Sequence, residues 1–242
     1  MRLNSTKGSG LIGSIRVGGI PTREGMDGNG FCDVGLATQR GCYGDNEDFC
    51  MAAIRDDDVV LALADGIGSE PFGRALGRLA CLRSIESFAE GSSGEKAFEL
   101  ASREVRSFLR DARSPKSGTT LMLAEVNESR LHLWWEGDGE CLHIRGGRCR
   151  EISRRHRLEA SPMLTRSVGA DMTIRPSFAE ATLRSGDKLV LLTDGVADSL
   201  GRARMMSMFY TEGSASRCAK RLVSSARAIG SDDATAAVVT IL

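Results

Sequence analysis

Along this chain apolar residues gather in short blocks closed by polar turns. Residues 59–64 (Val-Val-Leu-Ala-Leu-Ala) and 189–192 (Leu-Val-Leu-Leu) are unbroken apolar runs, the pattern of strands buried on both faces. Asp65-Gly66 closes the first and Thr193-Asp194-Gly195 the second. A last apolar run, 236–242, is opened by Asp232-Asp233-Ala234-Thr235. Further strands are predicted at 119–126, 130–136 and 141–145, with Asn127-Glu128-Ser129 and Gly137-Asp138-Gly139 as turns. Helical spacing marks 72–90 through Leu76, Leu79, Ile85 and Phe88, and 95–110 through Ala97, Leu100, Val105 and Phe108. A third helix, 214–228, places Cys218, Ala219, Leu222, Val223 and Ala226 on one face. The first two helices are expected to pack together on one sheet. Periodicity alone gives an α+β class and goes no further.

Composition narrows the function classes. With 242 residues, 41% of them hydrophobic, the chain can bury a full core as one domain. Lys+Arg and Asp+Glu both total 32, so no bulk field favours nucleic acid or an anionic membrane. No apolar run has membrane-spanning length. Seven cysteines, an odd number without Cys-x-x-Cys pairs and with no secretory leader, are expected to be reduced thiols in a cytoplasm, most of them small core residues. Residues 1–30 are glycine-rich and read as a loose extension or an edge hairpin, leaving 31–242 as the main domain. The arginine-rich stretch 145–157 reads as a solvated hairpin-and-loop surface, with attraction of an acidic phosphopeptide as the sharper alternative. Across 154–175 both periodicities fade, and Ser161-Pro162-Met163 has turn chemistry.

The chemistry lies in acids scattered along the chain: Asp48, Asp65, Asp138, Asp194 and Asp232. An Asp at the end of a buried strand has a fixed backbone behind it and an open loop ahead, and a following Gly lets a ligand approach closely. Either Asp-Gly alone reads as a turn. Together with Asn46-Glu47-Asp48 and Asp232-Asp233, they offer the carboxylate and carbonyl oxygens preferred by hard cations. The histidines do not suit zinc: His132 and His143 read as strand residues, and His156 belongs to the basic segment Arg154-Arg155-His156-Arg157.

Seven motifs then fall in order: Asn46-Glu47-Asp48, Ala64-Asp65-Gly66-Ile67-Gly68, Ser117-Gly118-Thr119-Thr120, Glu136-Gly137-Asp138, Leu164-Thr165-Arg166-Ser167-Val168-Gly169, Thr193-Asp194-Gly195-Val196-Ala197-Asp198 and Asp232-Asp233-Ala234-Thr235. Over about residues 33–242 the chain resembles the metal-dependent PPM, or type 2C, serine/threonine phosphatases, in their compact bacterial form. The resemblance implies a four-layer αββα sandwich, two antiparallel sheets face to face with helices outside. It implies two Mn2+ or Mg2+ ions, bridged by Asp65, with the Gly66 carbonyl on one and Asp194 and Asp232 on the other. Glu47 and Asp48 would act through water, and Asp138 and Asp198, with Asp194, would form a weaker third metal position. A hydroxide bridging the two ions would attack phosphorus in line, with no phosphoenzyme. No rival nucleophile stands in a Cys-x5-Arg loop or a Gly-x-Ser-x-Gly elbow.

The chain departs from the family pattern at three places. Members carry a phosphate-gripping arginine four residues before the motif glutamate, where this chain has Tyr43; Arg40 is the nearest replacement, and a solvated strand-end charge is its plainer reading. Ile67 stands where some members have histidine, and Asp233 where many have asparagine. The expected activity is hydrolysis of phosphoserine and phosphothreonine in a protein substrate by a monomer, opposing a bacterial Ser/Thr kinase. The alternatives are a catalytically weak regulator that binds phosphoproteins and a small-molecule phosphohydrolase.

Overall fold

The chain passes in order through β1 (Cys32–Gln39), β2 (Asp48–Arg55), β3 (Asp58–Asp65), α1 (Gly73–Ala89), α2 (Gly94–Asp111), β4 (Leu121–Val126), β5 (Arg130–Glu136), β6 (Glu140–Arg145), β7 (Arg148–Glu151), β8 (Ser177–Thr182), β9 (Lys188–Leu192), α3 (Asp194–Ala197), α4 (Arg202–Thr211), α5 (Ala215–Arg227) and β10 (Ala234–Ile241). This is a computed structural model that describes residues 31–55, 58–67, 72–114, 116–159, 161, 163–169 and 175–242. The glycine-rich segment 1–30 lies outside the described residues.

Two five-stranded antiparallel sheets result, in the orders β1-β10-β9-β6-β7 and β2-β3-β4-β5-β8. Their facing sides enclose one core, which includes Leu61, Leu63, Met122, Leu191 and Val239. A second core lies between α1, α2 and the outer face of the β2–β8 sheet, and a third between α3, α4, α5 and the outer face of the other sheet. The unbroken apolar runs are thereby explained. In β3, Val59, Leu61 and Leu63 point between the sheets while Val60, Ala62 and Ala64 point at the helices. The expected four-layer α+β sandwich is the observed one.

The elements missed by sequence reasoning are β1, β2, β7, β8, α3 and α4. The face assigned to the second helix is corrected in part. Leu100 and Phe108 are each 37% exposed, and the buried stripe of α2 is Ala97, Phe98, Ala101, Val105 and Leu109. Phe108 instead meets Phe72 edge to face at 5.5 Å. The hairpin between β6 and β7 turns on Gly146 and Gly147, with φ of 53° and 81°, a two-residue turn that glycine adopts without steric cost. Among the described residues every cysteine is a free thiol, and five of the seven are buried.

The arginine-rich stretch is not simply solvated. Asp187, 2% exposed, receives the Nε of Arg145 at 2.8 Å, the Nε2 of His143 at 2.9 Å and the Arg184 N–H at 2.9 Å. Burial pushes its carboxyl up, but the hydrogen bonds from Arg145 and His143 outweigh this and bring its pKa down to about 2. A depressed carboxyl contributes stability above its unfolded pKa, near 3.9, and loses it as pH falls toward the folded value. The protein is therefore expected to lose stability between about pH 4 and 2 more steeply than Asp187→Asn, which should already be about 1–3 kcal/mol weaker at neutral pH. Urea titrations at several pH values would show parallel curves if Asp187 carried no such role.

Candidate functional site

The sandwich collects its acids at one end. Four strand termini there belong to one sheet, the C-ends of β1 and β9 and the N-ends of β6 and β10. The N-end of β2 and the C-ends of β3 and β5 belong to the other. Asp48 and Asp65 are register partners, so β2 and β3 present them side by side. Asp65 continues the alternation of Leu61 and Leu63, and so turns between the sheets rather than toward the helices. Asp138 sits on the crossing from β5 to β6, Asp194 opens α3 after β9, and Asp232 precedes β10.

Their backbones are fixed from several sides. Thr120 and Thr119 hydroxyls bracket Asp65, one accepting from its N–H at 2.8 Å and the other donating to its carbonyl at 2.9 Å. Gly66 donates its N–H to the Glu47 carbonyl at 3.2 Å, and a Cβ on Gly66 would fall 2.3 Å from the backbone of Gly73. The Gly66 carbonyl accepts no hydrogen bond from any described residue. Asp233 organises the loop that carries Glu47: its Oδ1 accepts from the Gly41 N–H at 2.5 Å and its Oδ2 from the Glu47 N–H at 2.7 Å. An asparagine would turn an NH2 group against one of these donors. Asp233→Asn is accordingly expected to cost about 1–3 kcal/mol, and an unchanged thermal midpoint would contradict the two-sided clamp.

Electrostatically the acids oppose one another. The Asp65 and Asp194 carboxylates are close enough to shift one another's protonation. Both keep a partly open face, yet sit low enough among protein atoms that desolvation is the main force raising them. Asp48 and Asp194 then add repulsion on Asp65, and Asp232 adds it on Asp194. Asp138 is pushed up to about 6, by burial first and by Asp194 second. Glu47 is raised by burial, then by Asp233 and Asp232. Asp48 is buried; Thr193 Oγ1 donates to its Oδ2 at 2.8 Å, while its Oδ1 is enclosed without a hydrogen-bond partner. Burial raises Asp48 well above the usual range, opposed by the nearby Thr235 and Thr193 hydroxyls, although that of Thr235 is paired with Thr38 at 2.6 Å. Among the described residues, Glu47, Asp48, Asp65, Asp194 and Asp232 make no ion pair with Lys or Arg.

An orphaned buried carboxylate oxygen and a cluster of oxygen donors with no protein cation among them fit a hard divalent metal. Among the described residues no three His, Cys, Asp or Glu side chains already stand at the spacing of a closed metal site, so carbonyl and water oxygens would have to complete any coordination shell.

The remaining predicted residues diverge. Asp198, one turn after Asp194, is engaged by Arg155 and Arg157 and held below its usual range, because their hydrogen bonds outweigh the effect of its burial. Arg40 is exposed, its Nη1 lies 3.4 Å from the Gly44 carbonyl, and it makes no ion pair among the described residues. Tyr43 is 73% exposed. Sequence reasoning missed Thr193, Arg155, Arg157 and the clamp by Asp233. Only Thr193 carried a signal, being the last residue of an apolar run that ends at an acid.

The family model described as protein phosphatase 2C matches residues 44–226, and the chain belongs to that family. No curated protein matches it. Among solved structures it is similar to PppA, described as a key regulatory component of T6SS in Pseudomonas aeruginosa, with 21% identity, a TM-score of 0.79, and coverage of 88% of this chain and 98% of that one. The serine/threonine phosphatase PstP of Mycobacterium tuberculosis is 20% identical with a TM-score of 0.76, over 87% of this chain and 98% of its own. A PstP catalytic domain in complex with two manganese ions is 21% identical with a TM-score of 0.76, over 87% and 98%. At these identities the likeness shows a shared fold. Among the described residues no helix is long and apolar enough to cross a membrane.

Proposed function

We propose that this chain is a metal-dependent phosphatase that removes phosphate from phosphoserine and phosphothreonine in a protein. The observation that carries this reading is the site's uncompensated charge: Asp48, Asp65 and Asp194 brought together from three elements, with Asp48 Oδ1 enclosed and unpartnered. Asp65, Asp194, Asp232 and the Gly66 carbonyl would hold two Mn2+ or Mg2+ ions, and Glu47 and Asp48 would position the water around them. When bound, such ions supply Lewis acidity toward a phosphoryl oxygen and lower the pKa of water toward neutrality. The chain's own part is placement. Thr193 orients Asp48, Thr119 and Thr120 fix the Asp65 backbone, and Asp233 holds the loop bearing Glu47. No side-chain nucleophile is required. Family membership supports the reading, and the solved PstP domain with manganese supports the choice of metal. By analogy with PppA and PstP, the substrate would be a protein phosphorylated by a bacterial Ser/Thr kinase system, with signalling and secretion control as its settings.

One observation favours a second reading. With Tyr43 exposed and Arg40 turned onto its own loop, neither position among the described residues presents a guanidinium at the expected phosphate clamp. A protein that binds phosphoproteins and turns them over poorly would look the same there. Comparing phosphothreonine peptides with nucleotides and sugar phosphates under Mn2+ tests the proposal. Faster turnover of the peptides is expected, and equal or better turnover of the small molecules would count against a protein substrate. Tight phosphopeptide binding without turnover would establish the second reading.

A further inference from the structure

The resemblance leads to a third cation position built from Asp138, Asp194 and Asp198, and the structure puts something else there. Asp198 caps α3, and both of its carboxylate oxygens are covered by guanidinium groups. Arg157 reaches it end-on, Nη1 to Oδ2 at 2.7 Å and Nη2 to Oδ1 at 3.1 Å, and Arg155 Nη1 reaches Oδ1 at 2.5 Å. The same Arg157 Nη1 lies 3.8 Å from Asp138 Oδ2, so one guanidinium spans the two acids that a third ion would join.

These arginines are held in place. His156, between them, stacks on Trp135 with ring centroids 6.0 Å apart, accepts the Gly137 N–H at Nδ1 and pairs with Ser177 through Nε2 at 2.8 Å. In an extended segment alternate residues face opposite ways, so pegging His156 to the sheet turns Arg155 and Arg157 together toward Asp198. Arg155 is tied at its other end to Glu140 Oε1 at 2.5 Å, and Glu140 is ion-paired with Arg202 at 2.7 Å. A divalent ion entering between Asp138 and Asp198 would have to displace a bidentate arginine and then face its charge.

We infer that Arg155 and Arg157 fill the place of a third cation, so that this chain binds two divalent ions and closes the third position with its own guanidinium groups. The inference rests on the metal-centre reading above. Its test is a count of bound Mn2+ on the full chain, by titration followed through the electron paramagnetic resonance signal of free Mn2+. The expected result is two ions per wild-type chain and a third in the Arg155→Ala, Arg157→Ala double variant. Arg157→Gln, which keeps most of the side-chain packing, is expected to show the same gain should the double variant fail to fold. Three ions in the wild type, or two in every variant, would overturn the inference and leave the metal centre standing. No bound Mn2+ in the wild type would overturn the metal-centre reading and this inference with it.

Discussion

Asp65→Asn is expected to make the metal-free protein more stable while removing its activity. The side chain sits low in the site against the charges of Asp48 and Asp194, with no arginine or lysine paired to any of the three among the described residues. An amide of the same shape removes one charge from that repulsion, and the backbone stays fixed by the hydroxyls of Thr119 and Thr120. For a domain of this size each kcal/mol relieved raises the thermal midpoint by about 2–4 °C. Turnover should fall on the order of 10³-fold, the scale on which loss of one charge-stabilising group acts. Mn2+ is expected to raise the wild-type midpoint by mass action and to leave the variant's nearly unmoved. A variant less stable than the wild type, and equally protected by Mn2+, would show that Asp65 is a structural turn residue.

Gly195→Ala should damage the same site through the backbone. A Cβ at Gly195 would stand 1.8 Å from the Asp233 carbonyl oxygen and 3.3 Å from the Asp232 Cβ. Main-chain atoms cannot swing aside as a flexible side chain does, so α3 and the entry to β10 must move apart. Asp194 and Asp232 lie directly on those two segments. The expected result is a ~10–100-fold loss of Mn2+ affinity, the scale of a disturbed outer shell, with about 1–3 kcal/mol of overpacking strain. Gly201→Ala, with no neighbour within 4 Å, is the control and should bind Mn2+ as the wild type does. Isothermal titration of both variants decides the matter; equal affinities would mean that the spacing of Asp194 and Asp232 is not what sets metal binding.

The legible parts of this fold are those where burial is simple. The β3 and β9 runs, apolar on both faces, and α5, with its single buried stripe, are plain in the sequence because a sheet or a helix covers each fully. β1 is obscured by Gly35, whose place is set by close contact: a Cβ there would lie 2.3 Å from the backbone at Ala215 and Ser216. β8 is an edge strand with no fully buried residue, and its Phe178 is 52% exposed. In α2, Leu100 and Phe108 fit a helical period but sit on its rim, since apolar spacing alone does not say which of two adjacent stripes faces the sheet. At the site, the acids could be read because each closes or opens an apolar run. Arg155 and Arg157 could not, since a string of arginines looks like solvated surface. Asp198 lies 43 residues from Arg155 and 41 from Arg157, and Glu140 lies 15 from Arg155. The role of Asp233 was hidden for the same reason, its two donors being 192 and 186 residues distant.

If the carboxylates gathered at one end of the sandwich form a metal centre that hydrolyses phosphate esters, activity must follow the metal. Steady-state hydrolysis of p-nitrophenyl phosphate by the purified chain, measured against Mn2+ concentration beside Asp65→Asn and Asp194→Asn, tests it most directly. Turnover is expected to rise with Mn2+, to vanish on chelation and to be lost in both variants. No turnover at any Mn2+ concentration up to the millimolar range, or turnover that survives chelation and both substitutions, would contradict it.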